Sequence, residues 1–229
     1  MPNLSIVTTA DGSKTIYNAD VGENYHSRNG ALQESEHVFL NAGLRYYLAG
    51  TETNEVSILE VGLGTGLNFL LSADFCTAKR INLNYMGIEA YPLSASMITE
   101  TGYDAYTSAT LWQSFITHYQ QSLQSTVQLN PSVQLKIAVT TLQQFQSVQQ
   151  FNIIYFDAFA AAHQPEMWSV EAIEHTLQFL KPGGIFVTYA ITGNLKRQLK
   201  ALGLKVEKAP GAPGKREMLR ATKALNQLQ

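Results

Sequence analysis

Apolar and polar positions along this chain follow two alternating regimes. Short apolar-rich runs at 56–61, 83–89, 133–139, 151–156 and 185–189 have the length and β-branched or aromatic content of strands covered on both faces. Between them, apolar residues recur at helical spacing. The stretch 33–49 carries Val38, Phe39, Leu44 and Tyr47 on one face, and 93–128 carries Leu111, Trp112, Phe115, Ile116, Tyr119 and Leu123. Further helices are predicted from Leu67 to about 76, at 166–180 and at 193–202, with Lys181-Pro-Gly-Gly184 as a sharp break before the strand at 185. Asp11-Gly12 marks a hairpin turn within 8–17, and 205–209 with 217–221 reads as a closing hairpin. Strands alternating with helices predict an α/β fold, a mostly parallel sheet with helices on both faces and an antiparallel hairpin at its end. Residues 1–31 read as a small N-terminal β extension and 32–229 as the main domain.

The sharpest local signal is Ile58-Leu-Glu-Val-Gly-Leu-Gly-Thr-Gly-Leu-Asn-Phe-Leu70, a buried strand running through a glycine turn into a helix. Gly62, Gly64 and Gly66 let the backbone turn and approach a ligand that a Cβ would push away, and the free N–H groups of the helix start face that ligand. The G-x-G-x-G spacing differs from the dinucleotide fingerprint, and the Gly-Lys-Ser/Thr of a P-loop is absent. A second carboxylate, Glu89, ends the next apolar strand in Tyr85-Met-Gly-Ile-Glu-Ala90. A carboxylate about 20 or more residues after the glycines is placed to accept hydrogen bonds from ribose hydroxyls. This ordering resembles the Rossmann-like class I S-adenosylmethionine-dependent methyltransferases. The resemblance implies a cofactor held by Glu60, Gly62, Gly64, Thr65, Gly66, Asn68, Glu89 and Ala90. Glu60, the glycines, Glu89 and Asp157 all fall at the carboxyl ends of predicted strands, where ligands of such sheets bind. Asp157 is the candidate catalytic residue, able to hold an amine or accept its proton; a helix cap or loop anchor is the competing reading.

Composition narrows the picture further. The chain has 229 residues, 45% hydrophobic and 15% charged, ordinary for a globular enzyme with one substantial core. A lone Cys76 excludes an internal disulfide framework, and no cysteine–histidine cluster has zinc spacing, so no metal is expected. Neither a signal peptide nor an apolar stretch of membrane-spanning length is present, which points to the cytoplasm. Net charge is −2, yet from Ile191 onward nine Lys or Arg face only Glu207 and Glu217. That basic sector reads equally as a phosphate-binding face or as a solvated helix and hairpin.

Longer strings are more specific. Tyr155-Phe-Asp-Ala-Phe-Ala160, Gln164-Pro-Glu-Met-Trp168 and Lys181-Pro-Gly-Gly184 resemble the methyltransferase domain of the bacterial tRNA 5-methylaminomethyl-2-thiouridine biosynthesis family. Tyr25-His-Ser-Arg-Asn-Gly-Ala31, Gln33-Glu-Ser35, His37-Val-Phe39 and Gly214-Lys-Arg-Glu-Met218 extend the likeness over about residues 8–222. Ala158 and Ala161 stand where the family usually has glycine and proline, and Val139-Thr-Thr141 lacks the acidic residue that many relatives place near the adenine. The resemblance implies methyl transfer from S-adenosylmethionine to the primary amine of 5-aminomethyl-2-thiouridine at the tRNA wobble position. It also implies the stand-alone form of the enzyme, with a separate enzyme supplying the aminomethyl intermediate. Gln33 and Glu34 would then border the cofactor, and Tyr25, Phe159 and Trp168 would stack on the base, although for Phe159 and Trp168 core is the preferred reading. Tyr25, His26 and Ser27 would form a lid, while Lys215 and Arg216 would contact phosphates of the anticodon stem-loop. Methylation of a small-molecule or protein amine, and a non-catalytic RNA-binding module on the same fold, are the alternatives.

Overall fold

The computed structural model describes residues 3–225. Strands β1 (Leu4–Thr8), β2 (Lys14–Asn18) and β3 (Glu23–Asn24) pair antiparallel as a small sheet of their own. The predicted turn is present, with Gly12 at φ +86°. Its side chains also cap the next helix. Asp11 Oδ2 accepts from the Gln33 N–H at 3.0 Å, and Ser13 Oγ accepts from the N–H groups of Ala31 and Leu32 at 3.0 and 3.1 Å. A carboxylate and a hydroxyl therefore satisfy donors that a helix start leaves unpaired. The helix runs on through α1 (Ala31–Glu34), a π-bonded segment Ser35–Arg45 and α2 (Tyr46–Ala49).

The main sheet has eight strands: β4 (Glu55–Val61), β5 (Asn82–Ile88), β6 (Val127–Asn130), β7 (Val133–Ala138), β8 (Phe151–Phe156), β9 (Leu180–Thr188), β10 (Leu204–Pro210) and β11 (Glu217–Lys223). Their order is β10-β11-β9-β8-β4-β5-β7-β6. The five inner strands from β9 to β7 are parallel, and β6, β11 and β10 add antiparallel edges. The chain leaves β4 toward β5 and β7, then returns to place β8 on the other side of β4. Strand order thus reverses at β4, and a crevice opens beyond the carboxyl ends of β4, β5 and β8.

Strand alternation divides the core between the two sheet faces. Ile58, Ile153 and Tyr155 meet Phe39, Phe69 and Phe115 on one face; Leu59, Ile154 and Phe156 meet Ile173, Leu195 and Leu219 on the other. The first face is covered by the π-bonded helix, α3 (Leu67–Lys79) and α5 (Ala109–Ser122), the second by α6 (Val170–Gln178) and α7 (Gly193–Ala201). Ile16 of the N-terminal hairpin is buried in the first cluster, so the small sheet packs on the same core. No helix among the described residues is long and apolar enough to cross a membrane.

Two expectations are corrected. The helix predicted over 93–128 is α4 (Ala95–Glu100), a 3₁₀ turn (Tyr103–Tyr106) and α5, followed by β6. Gly102 at φ +70° and extended backbone at Thr107 and Ser108 interrupt it. Lys181-Pro-Gly-Gly184 is not a break before a strand; it lies inside β9, as a register shift in the pairing with β8. Gly183 at φ +75° absorbs the irregularity.

Candidate active site

The glycine turn forms one wall of the crevice. Gly62, Gly64 and Gly66 have φ of +85°, +54° and +79°. A Cβ on Gly62 would lie 2.5 Å from the Asp157 carbonyl oxygen, and one on Gly64 would lie 2.7 Å from the Tyr25 ring. Only glycine fits at either place. Gly64 N–H donates to Glu89 Oε2 at 2.9 Å and Tyr91 N–H to Oε1 at 3.0 Å. Burial pushes the Glu89 carboxyl up, while backbone donors from Tyr91, Gly64 and Ala90 pull it down. The Glu89 carboxylate keeps accepting capacity on the cavity side for a ligand hydroxyl.

A cavity of about 1260 Å³ follows from this arrangement. Gly62, Gly64, Thr65, Glu89 and Ala90 line one part of it. Tyr25, Glu34, Asp157, Phe159 and Lys215 line the remainder. Drug-sized ligands occupy roughly 300–1,000 Å³, so this space has room for a nucleoside cofactor and a second group. The residues present fit S-adenosylmethionine: a carboxylate for hydroxyls, a glycine cradle cleared of Cβ atoms and carboxylates near a cationic centre.

Asp157 follows β8 directly, its N–H donating to Val61 O at 2.9 Å. Asn68 Nδ2 donates to both Asp157 Oδ2 and Glu60 Oε1, each at 2.8 Å, and the Tyr85 hydroxyl donates to Glu60 Oε2 at 2.8 Å. Asp157 Oδ1 is left for a ligand. Burial raises the Asp157 carboxyl to about 8, with Glu34 and Glu23 adding to the rise and Asn68 and Lys215 opposing it. Glu60 is fully buried, and burial together with Asp157 pushes it well above the usual carboxylate range. Tyr25 and Phe159 meet edge to face at 5.1 Å across the cavity wall.

Several sequence-predicted residues stand elsewhere. Glu60 and Asn68 lie behind the cavity; they reach it only through Asp157. Gly66 caps α3, outside the cavity lining. Gln33 is exposed and turned away, because its N–H is held by Asp11 on the hairpin side. Trp168 packs at 5.0 Å on Phe156 and donates from Nε1 to Phe159 O at 2.8 Å, so it braces the wall from behind and does not line this cavity. Lys215 points inward: Nζ donates to Glu34 Oε2 at 2.6 Å and sits 4.0 Å from the Tyr189 ring centroid. Its neighbour Arg216 is exposed. His26 is buried against Thr15, and burial lowers its imidazole to about 4. His37 Nε2 bonds Pro210 O at 2.7 Å.

Sequence reasoning missed Tyr189, Glu23 and Tyr91, which line the same cavity. Tyr189 donates to Ala158 O at 2.9 Å, and Glu23 Oε2 accepts from the Ala160 N–H at 2.8 Å; together they hold the loop after Asp157. Tyr189 carried a signal, since it ends a strand as Glu60 and Asp157 do. Glu23 carried none. Among the described residues no group of His, Cys, Asp or Glu is arranged to hold a metal ion.

A family model described as S-adenosyl-L-methionine-dependent methyltransferase matches residues 106–224. The tRNA 5-methylaminomethyl-2-thiouridine biosynthesis bifunctional protein MnmC of Magnetococcus marinus is 29% identical over 233 residues, covering 96% of this chain and 34% of that protein. Its counterpart in Pseudomonas savastanoi pv. phaseolicola is 30% identical, over 89% of this chain and 32% of the relative. The chain thus spans about a third of the length of these curated relatives. The crystal structure of MnmC2 from Aquifex aeolicus superposes with a TM-score of 0.77 at 20% identity, covering 100% of this chain and 74% of that one, which carries the fold. The family match includes Asp157 and the antiparallel sheet edge. The chain belongs to the S-adenosyl-L-methionine-dependent methyltransferase family, and S-adenosylmethionine is its cofactor.

Proposed function

We propose that this protein methylates the primary amine of 5-aminomethyl-2-thiouridine at the wobble position of tRNA, giving the 5-methylaminomethyl nucleoside. The observation that carries the reading is Asp157, a carboxyl raised to about 8 with one oxygen uncommitted, in a cavity large enough for cofactor and base together. The names of the relatives, covering nearly all of this chain, supply the substrate class.

Gly62, Gly64, Thr65, Glu89 and Ala90 would hold the cofactor, which when bound would supply a methyl group activated by a positively charged sulfur. The chain's own residues have two tasks. Tyr25 and Phe159, packed edge to face on one wall of the cavity, offer a ring surface against which the base, turned out of the anticodon stack, would rest with its aminomethyl arm toward Asp157. Asp157 Oδ1 accepts a hydrogen bond from the amine and takes the proton that the nitrogen must shed. A carboxyl poised near the working pH serves that exchange better than one near the ordinary value. Alignment of a neutral amine for in-line displacement then accounts for most of the acceleration.

The test offers labelled S-adenosylmethionine with tRNA from cells lacking this modification, with free small primary amines in parallel, and analyses the nucleosides. Label in 5-methylaminomethyl-2-thiouridine supports the reading. Label only in small amines, with none in tRNA, refutes it.

A further inference from the structure

A second cavity, of about 670 Å³, lies beside the first, and Tyr189 and Lys215 line both. The first site makes no use of it. Its wall joins Trp168 and Ile191 to Asn194 and Gln198 of α7, and Arg216 stands on its other side.

The basic C-terminal sector sorts itself around this cavity. Lys205 and Arg220 pair with Glu207, Lys208 with Glu217, and Lys215 with Glu34. Lys223 is bound to the carbonyls of Leu177 and Leu180. Lys196, Arg197, Lys200 and Arg216 have no carboxylate partner among the described residues. Three of these four belong to α7, and Arg216 lines the cavity itself. Gln198 lines the same cavity, where its Nε2 donates to Trp168 O at 3.4 Å and its Oε1 has no partner among the described residues.

We infer that the second cavity seats the nucleotide adjoining the methylated one, its base against Trp168 and Gln198 and its phosphate on Arg216. This rests on the tRNA reading above. Unpartnered cations beside an aromatic-walled pocket suit a single-stranded nucleotide, whose backbone needs positive charge and whose base needs a stacking face. Lys215, held by Glu34, separates the two pockets, and Arg216 is the cation left for the backbone.

The test uses Arg216→Ala and Gln198→Leu, with Lys205→Ala as a distant control. An anticodon stem-loop carrying the aminomethyl base is methylated at several salt concentrations. In parallel, a 5′-phosphorylated uridine trinucleotide is titrated into protein saturated with S-adenosylhomocysteine. Arg216→Ala is expected to raise KM for the stem-loop about ten-fold, to leave kcat within two-fold and to lower the salt slope by about one. Weaker trinucleotide binding in both variants, with Lys205→Ala unaltered, supports the seat. Unchanged KM, salt slope and trinucleotide affinity in Arg216→Ala overturn it. Trinucleotide binding that needs Arg216, in a protein that methylates no RNA, overturns the tRNA reading and keeps the seat. Neither binding nor methylation overturns both.

Discussion

Replacing Asn68 with leucine removes the one amide that joins Glu60 to Asp157 while keeping the branched shape of the side chain. Two hydrogen bonds of 2.8 Å to carboxylates are lost. Such bonds to ionised groups are worth about 1.5–3 kcal/mol each, so the upper limit is about 6 kcal/mol. Glu60 keeps the Tyr85 hydroxyl at 2.8 Å, and Asp157 borders a cavity open to water. With both carboxyls raised and protonated at pH 6, neutral-bond values of about 0.5–1.5 kcal/mol each apply, so the expected cost is about 3 kcal/mol at most. Asn68 also opposes the rise of the Asp157 carboxyl, so its loss moves that group higher than about 8. The sign follows. An ionised Asp157 is needed to accept the amine's proton, so the acid limb of kcat/KM shifts to higher pH. The folded protein already holds a proton that the unfolded chain, at the ordinary value of 3.8, releases. Stability from this group is therefore greatest below that value and falls as pH rises toward about 8; in Asn68→Leu the fall continues further. Urea unfolding at pH 6 and pH 9, with a pH profile of methyl transfer, reads both effects. An acid limb that stays in place while stability drops shows that Asn68 braces the fold without tuning Asp157. No change in either quantity refutes the bridge altogether.

Asp157→Asn is expected to abolish transfer and to be more stable than wild type, by a margin that grows between about pH 4 and pH 8 and then levels off, seen by thermal unfolding across pH. Gly62→Ala places a Cβ 2.5 Å from a backbone oxygen at φ +85°. It should cost about 2–3 kcal/mol and weaken cofactor binding at least ten-fold by calorimetry. Lys215→Met strands Glu34, whose side chain is 7% exposed, and should lower stability by about 2 kcal/mol while moving the acid limb upward, because Lys215 opposes the rise at Asp157. Trp168→Phe loses the bond to the Phe159 carbonyl and part of the packing on Phe156 and Tyr189, and should cost about 2 kcal/mol, with KM for RNA rising less than for Arg216→Ala.

Most of the architecture was legible because buried strands and a glycine turn leave patterns that tertiary contacts reinforce. β4, β5 and β8 each end where the apolar run ends, and that placed Glu89 and Asp157 on one crevice before any contact was known. β6 was missed because Val127–Asn130 has too few residues to show a period, and its pairing with β7 is non-local information. The inward turn of Lys215 escaped for a similar reason. Its partner Glu34 is 181 positions away, and a lysine beside an arginine in a loop reads as solvated charge. Gln33 misled because the helix start was taken to face the cofactor, whereas Asp11 draws it toward the hairpin. Glu60 reads from the sequence as a strand-end carboxylate, yet it lies inside β4, and strand alternation points it into the core beside Tyr85.

The central claim is that the Asp157 cavity carries out methyl transfer to a tRNA amine. Single-turnover transfer from labelled S-adenosylmethionine to tRNA lacking the modification, in wild type and Asp157→Ala, tests it most directly when cofactor affinity is measured on the same samples. The account predicts 5-methylaminomethyl-2-thiouridine with the wild type, a rate at least about 100-fold lower in the variant, and cofactor affinity within a few-fold. Equal rates in the two proteins, or a wild type that binds the cofactor and leaves the tRNA unlabelled, would contradict it.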